Sequence, residues 1–174
     1  MKLNLPTWIT LSRLLGVPLL LGLLATPEPT QRWWALGIFL LAAGTDWLDG
    51  YLARRLNQVT ELGKFLDPLV DKLLVFASLL CLVGWQVIPA WGVFLILGRE
   101  LAIAGWRVNQ ATVTGANLWG KLKTVVQIGA IALLIAPLDV FWGETGMAIA
   151  QVGFWLAVVL TLGSGLSYVR PTQE

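Results

Sequence analysis

Between Glu144 and Arg170 the chain carries no charged residue. A helix rises about 1.5 Å per residue, so about 20 apolar residues cross the hydrocarbon core of a bilayer. The apolar run over residues 146–168 is long enough to do so. Similar runs recur from the N-terminus onward, and together they exclude an ordinary water-soluble domain. Of the 174 residues, 57% are hydrophobic and 13% charged, and the mean hydropathy is +0.75. The pattern predicts an all-α integral membrane protein with six transmembrane helices. No soluble domain fits between the spans, so residues 1–174 are expected to form a single transmembrane domain.

The N-terminal segment MKLNLPTWITLSRLLGVPLLLGLLA has a lysine ahead of an apolar run, as a signal peptide does. Arg13 interrupts that run and no clean small-residue cleavage site follows, so the segment is expected to be retained. Residues 1–11 are expected at the membrane interface and the first span over residues 12–25, with Pro27 and Pro29 ending it. The second span opens at Trp33 and Trp34, an interfacial aromatic anchor. The third begins near Gly63 or Lys64, which would put Pro68 in its first turns, where a missing amide does least harm. The fourth is expected over residues 88–106, the fifth over 118–136 and the sixth over 146–168. Cys81 is the single cysteine, so no internal disulfide forms.

Six spans return both termini to one side, and the basic residues choose it. Lys2, Arg13, Arg54, Arg55, Lys64, Lys72, Arg107, Lys121, Lys123 and Arg170 fall at the N-terminus, the even-numbered loops with their adjacent helix ends, or the C-terminus. The positive-inside rule places both termini on the cytoplasmic face, with Arg32 alone running against it. The formal charge of +2 leaves no nucleic-acid footprint.

One stretch departs from the apolar pattern. Residues 44–72, GTDWLDGYLARRLNQVTELGKFLDPLVDK, place Asp46, Asp49, Asp67 and Asp71 between two apparent spans. On a helix, Asp46, Asp49, Gly50, Ala53 and Arg54 follow steps of three and four and share a face. Gly63, Asp67 and Asp71 make a second stripe at steps of four. Two helices joined by a turn over residues 55–62 would bring four carboxylates together. An ionisable side chain at the bilayer centre costs about 2.5–3.5 kcal/mol, so four of them require compensation. With no histidine and one cysteine, zinc or copper ligation is disfavoured, and an all-oxygen set suits a hard divalent cation, Mg2+ or Mn2+, acting with substrate phosphates. Helix capping alone has no use for two such stripes or for the small residues beside them. Aspartates holding two metal ions clamp a phosphoryl or pyrophosphate group, and Arg54 adds a fixed cation. Residue types and spacing thus point to phosphoryl chemistry without identifying the substrate.

The stretch fits D-x2-D-G-x2-A-R-x8-G-x3-D-x3-D with every fixed position filled. In this it resembles the CDP-alcohol phosphotransferase family of membrane enzymes. The resemblance implies that family's fold and transfer of a phosphatidyl or similar group from a CDP-linked donor to an alcohol, with release of CMP. It implies that Asp46, Asp49, Asp67 and Asp71 ligate two divalent ions and that Asp71 is also the general base. Gly50, Ala53 and Arg54, with Thr60 in the turn, would contact the cytidine diphosphate. NLPTWITLSR ending at Arg13, GRE at Gly98 to Glu100 with Arg107 downstream, and NLWGKLKTVVQ ending at Gln127 are similar to the branch whose donor is CDP-diacylglycerol and whose acceptor is sn-glycerol 3-phosphate. On that reading Arg107, Lys121 and Lys123 would hold the acceptor phosphate, and Arg99 would pair with Glu100 or bind substrate. The resemblance further implies membrane lipid as surroundings, a homodimer, and a bacterial inner membrane with the site facing the cytoplasm.

Three rivals remain open at this level. The acceptor is inositol phosphate, serine or phosphatidylglycerol; or the chain is an intramembrane prenyltransferase, whose aspartates stand in two distant motifs; or it is an ion transporter with aspartates at the membrane midplane.

Overall fold

The computed structural model describes the backbone over residues 5–55, 61–108 and 118–169, and side chains over residues 12–45, 69–105, 120 and 122–165. The described residues form six helices and no strand: α1 (Leu5–Leu23), α2 (Pro29–Arg55), α3 (Glu61–Gly84), α4 (Ala90–Val108), α5 (Leu118–Ile135) and α6 (Leu138–Val169).

Local chemistry sets the ends of these helices. Pro29 opens α2, where a missing amide goes unnoticed, and the Glu28 carbonyl accepts the Arg32 amide at 2.9 Å. At the far end of α3, Gln86 takes a left-handed conformation with φ 59°. Its amide donates to the Val83 carbonyl at 2.9 Å, and the Val87 amide to that of Leu82 at 3.1 Å. This pair of bonds satisfies carbonyls that a helix end leaves open, and it ordinarily uses glycine at the left-handed position. Pro89 then precedes α4, its carbonyl accepting the Gly92 amide at 3.1 Å.

Several expected boundaries shift. α1 is helical from Leu5, so much of the segment read as an interfacial lead-in belongs to the helix itself. α3 begins at Glu61, earlier than Lys64, which moves Pro68 from the first turns into the interior, where it supplies no amide to the ladder. α6 starts at Leu138 and is broken at Gly143, with φ 56° and ψ −139°. The break folds a short helical turn back so tightly that a Cβ on Gly146 would lie 2.6 Å from the Leu138 carbonyl oxygen. Only glycine tolerates that approach.

The chain divides into two compact units. The first comprises residues 1–81 with Ile135–Pro137. Here α1 packs on α2, with Leu20, Leu24, Ala35, Phe39, Val70, Leu74 and Leu79 fully or almost fully buried. Arg32, buried among them, donates from Nε to the Ile135 carbonyl at 3.0 Å and from a terminal nitrogen to that of Ala136 at 2.7 Å. The one cation that ran against the charge pattern thus serves backbone carbonyls at the close of α5, where positive charge is favourable.

The second unit comprises residues 82–134 and 138–174. α4 packs on α6 through Gly92, where a Cβ would lie 2.9 Å from the Phe154 ring, and Trp91 meets Trp155 in a tilted pair with ring centroids 4.8 Å apart. Gly153 of α6 lies against Ala130 of α5. Small residues that let backbones approach are the usual means of helix association in lipid.

Both units turn large apolar side chains outward: Leu41 is 70% exposed, Phe94 71% and Val152 69%. Such a surface suits lipid. Among the described residues, the segment Leu138–Gly165 is long and apolar enough to cross a bilayer on its own, while Ser12–Leu23 and Leu122–Ile135 are shorter apolar helices.

Candidate active site

The second half of α2 carries the first aspartate stripe. Its backbone is helical through Arg55, so Asp46, Asp49, Gly50, Ala53 and Arg54 stand in the register anticipated from their spacing. Thr45, at the head of the stripe, bonds back to the Leu41 carbonyl at 2.9 Å and that of Ala42 at 3.0 Å, leaving its hydroxyl satisfied within the helix. α3 likewise carries Gly63, Asp67 and Asp71 at intervals of four. The side chains of Asp46, Asp49, Ala53, Arg54 and Asp67 lie outside the described residues, as does Thr60 altogether.

Asp71 is described in full, and it has a partner that sequence reasoning missed. Arg13 of α1 donates from a terminal guanidinium nitrogen to Asp71 Oδ1 at 2.8 Å. The two side chains are unequally exposed: that of Arg13 is 3% accessible, that of Asp71 42%. A guanidinium so deeply placed needs a carboxylate or several carbonyls to offset its desolvation, and here it holds the carboxylate that the resemblance makes a base. In the sequence Arg13 reads as the residue that interrupts the first apolar run and as a topology charge. The signal available was its place in the NLPTWITLSR stretch, which named no role and no partner.

A second polar cluster lies within the other unit. Lys123 of α5 is buried, and its Nζ donates to Glu100 Oε1 on α4. The same oxygen accepts from Arg99 at 3.1 Å. Arg99 also donates to the Ser164 hydroxyl on α6 at 3.1 Å, and Ser164 in turn donates to the Thr161 carbonyl at 3.0 Å. Of the residues anticipated around the acceptor, Lys123 is therefore paired with Glu100, and Arg99 pairs with Glu100 as one of the two readings had it. Arg107 and Lys121 lie on the backbones of α4 and α5, their side chains outside the described residues. The structure thus joins Asp71 to Arg13 in one unit and Lys123 to Glu100 in the other.

The donor chemistry fits a hard divalent cation: four carboxylates in two helical stripes, with no histidine in the chain.

A helical chain rich in lipid-facing surface, with an aspartate signature on two successive helices, defines a class of membrane transferase. Residues 3–163 match the family model described as CDP-alcohol phosphatidyltransferase, and the chain belongs to that family. Enzymes of this family are embedded in membranes, transfer a phosphatidyl group and use divalent metal ions. Among curated proteins, the chain is 39% identical to a Bacillus subtilis enzyme named CDP-diacylglycerol--glycerol-3-phosphate 3-phosphatidyltransferase, over 98% of this chain and 96% of that one. It is 39% identical to the enzyme of the same name from Pseudomonas fluorescens, over 97% and 89%, and 34% identical to that from Escherichia coli, over 99% and 97%.

Proposed function

We propose that this enzyme transfers the phosphatidyl group of CDP-diacylglycerol to sn-glycerol 3-phosphate, giving phosphatidylglycerophosphate and CMP. The observation that carries the reading is near-full-length similarity to bacterial enzymes named for that pair of substrates. We take all 174 residues to act as one transmembrane catalytic domain with six spans, a reading supported by a single family match over residues 3–163.

In this reading Asp46, Asp49, Asp67 and Asp71 hold two divalent ions, Mg2+ or Mn2+. Such ions, when bound, neutralise the pyrophosphate and favour departure of CMP. Gly50 and Ala53 leave room for the cytidine diphosphate, Arg54 binds a phosphate oxygen, and Thr60 adds a contact. Asp71 takes the proton of the acceptor hydroxyl as its oxygen attacks the phosphatidyl phosphorus, and the bond from that phosphorus to the CMP oxygen breaks. Arg107, Lys121 and Lys123 hold the dianionic phosphate of the acceptor, Lys123 as a member of its cluster with Glu100. The distribution of Lys and Arg supports a site and termini on the cytoplasmic side of a bacterial inner membrane, and the reading includes a homodimer.

The purified protein, assayed with radiolabelled CDP-diacylglycerol and each acceptor in turn, tests the proposal. Product is expected with sn-glycerol 3-phosphate, lost in excess EDTA and restored by Mg2+ or Mn2+. Turnover with inositol phosphate, serine or phosphatidylglycerol in its place would transfer the chain to another branch, and full activity in chelator would remove the metal from the account.

A further inference from the structure

We infer that Arg13 is a positioning residue, fixing the Asp71 carboxylate in the orientation from which it works; the inference rests on the proposed role of Asp71 as general base.

Three observations carry it. A basic residue that serves only to orient the chain needs to stand at the flank of a span, and the rule that governs orientation counts lysine and arginine alike. Long basic side chains near helix ends normally reach outward to water. Arg13 does the opposite: its side chain is 3% accessible, and it bonds a residue 58 positions away on another helix. The second observation is the asymmetry of the pair. The cation is enclosed in the first unit, while the carboxylate it grips stays 42% accessible. Enclosing both partners would add the carboxylate's own desolvation cost and shut it off from substrate. An enclosed donor holding an accessible acceptor is instead the arrangement that orients a reactive group while leaving it open to a substrate. The third is place: Asp71 closes the α3 stripe, one helical turn beyond Asp67, so the grip falls on a signature position. Guanidinium is suited to this work because its nitrogens are fixed in a plane, whereas an ammonium is a point charge on a flexible stem.

The test uses the full-length enzyme in detergent, with Arg13→Lys, Arg13→Ala, Asp71→Asn and the double variant Arg13→Ala/Asp71→Asn. Steady-state kinetics are measured for both substrates, with CDP-diacylglycerol affinity measured directly and a melting transition to certify the fold. Arg13→Lys keeps the charge and so keeps the orientation of the chain. It is expected to lower kcat about 10-fold or more, in the range seen when a residue that orients an active group is lost, with CDP-diacylglycerol affinity near wild type. Arg13→Ala, where it folds, is expected to lose more. Because Arg13 acts through Asp71, the double variant is expected to be no slower than Asp71→Asn alone. Native kcat in Arg13→Lys overturns the inference, and so does a double variant whose loss is the product of the two single losses. If Arg13→Ala fails to fold, Arg13→Lys decides the matter by itself. Asp71→Asn at native turnover removes the base assignment and this inference with it; an inactive Asp71→Asn beside a native Arg13→Lys removes this inference alone.

Discussion

Glu100 stands between two cations, accepting from Arg99 and Lys123 at a single oxygen within the packing of three helices. Its charge offsets a buried Lys123 and a part-buried Arg99 side by side, so removing it is costlier than removing either cation. Glu100→Gln is expected to lower stability by about 3–5 kcal/mol, the usual cost of stranding a buried charge. Adding Lys123→Met, which deletes the buried cation, is expected to recover part of that loss. Melting transitions of the single and double variants in detergent measure the coupling. A Glu100→Gln protein as stable as the native one would show that this cluster does not hold the second unit together. At this scale the sequence was legible where meaning lies in spacing. The aspartate stripes needed only steps of three and four, and both lie on helices as expected. The Arg13–Asp71 pair was not legible, because its members stand 58 positions apart and each had a sufficient local explanation. Neither the charge of Lys123 nor the NLWGKLKTVVQ stretch around it reveals that a carboxylate from α4 meets it.

Hydropathy announces that a helix exists more reliably than it announces where the helix stops. All six runs became helices, yet α1 extends back to Leu5, ahead of the span expected from residue 12, and α6 begins at Leu138. The bend at Gly143 left no mark in the apolar pattern, because its cause is a backbone conformation and a single close approach to Leu138. The end of α3 is similar. Its cap places Gln86 at φ 59°, a conformation that disfavours any residue with a Cβ. Gln86→Gly is therefore expected to stabilise the protein by about 0.5–1 kcal/mol, the gain in the folded state being partly offset by the freer unfolded chain. A rise in melting temperature with unchanged activity checks this. A fall would mean that the glutamine side chain contributes something the cap geometry does not require.

For the molecule as a whole, the charge distribution carries a prediction that hydropathy cannot. Arg32 was the exception to the positive-inside pattern, and the structure removes it from the tally: a buried side chain that bonds two carbonyls is a packing element. On the proposed six-span topology the remaining basic residues then agree on one side. Reporter fusions at residue 174 and in the loop after Gly84 are expected to report the cytoplasmic and the opposite face respectively. The reverse result would invert the proposed orientation and place the aspartates outside. The family was legible because its signature is dense and local. The division into two units was not, since nothing in the sequence marks Ile135–Pro137 as belonging with the first 81 residues.

That late segment sets a timetable for synthesis. Arg32 emerges early, but the carbonyls it bonds belong to residues 103 and 104 positions further on. At the usual 5–20 residues per second of translation, the wait is on the order of 5–20 seconds. Throughout that interval α2 carries a guanidinium whose Ile135 and Ala136 acceptors do not yet exist, and the ribosome must deliver α3, α4 and α5 before the first unit can close. The N-terminal half of this protein is thus first to be made and cannot be first to be finished.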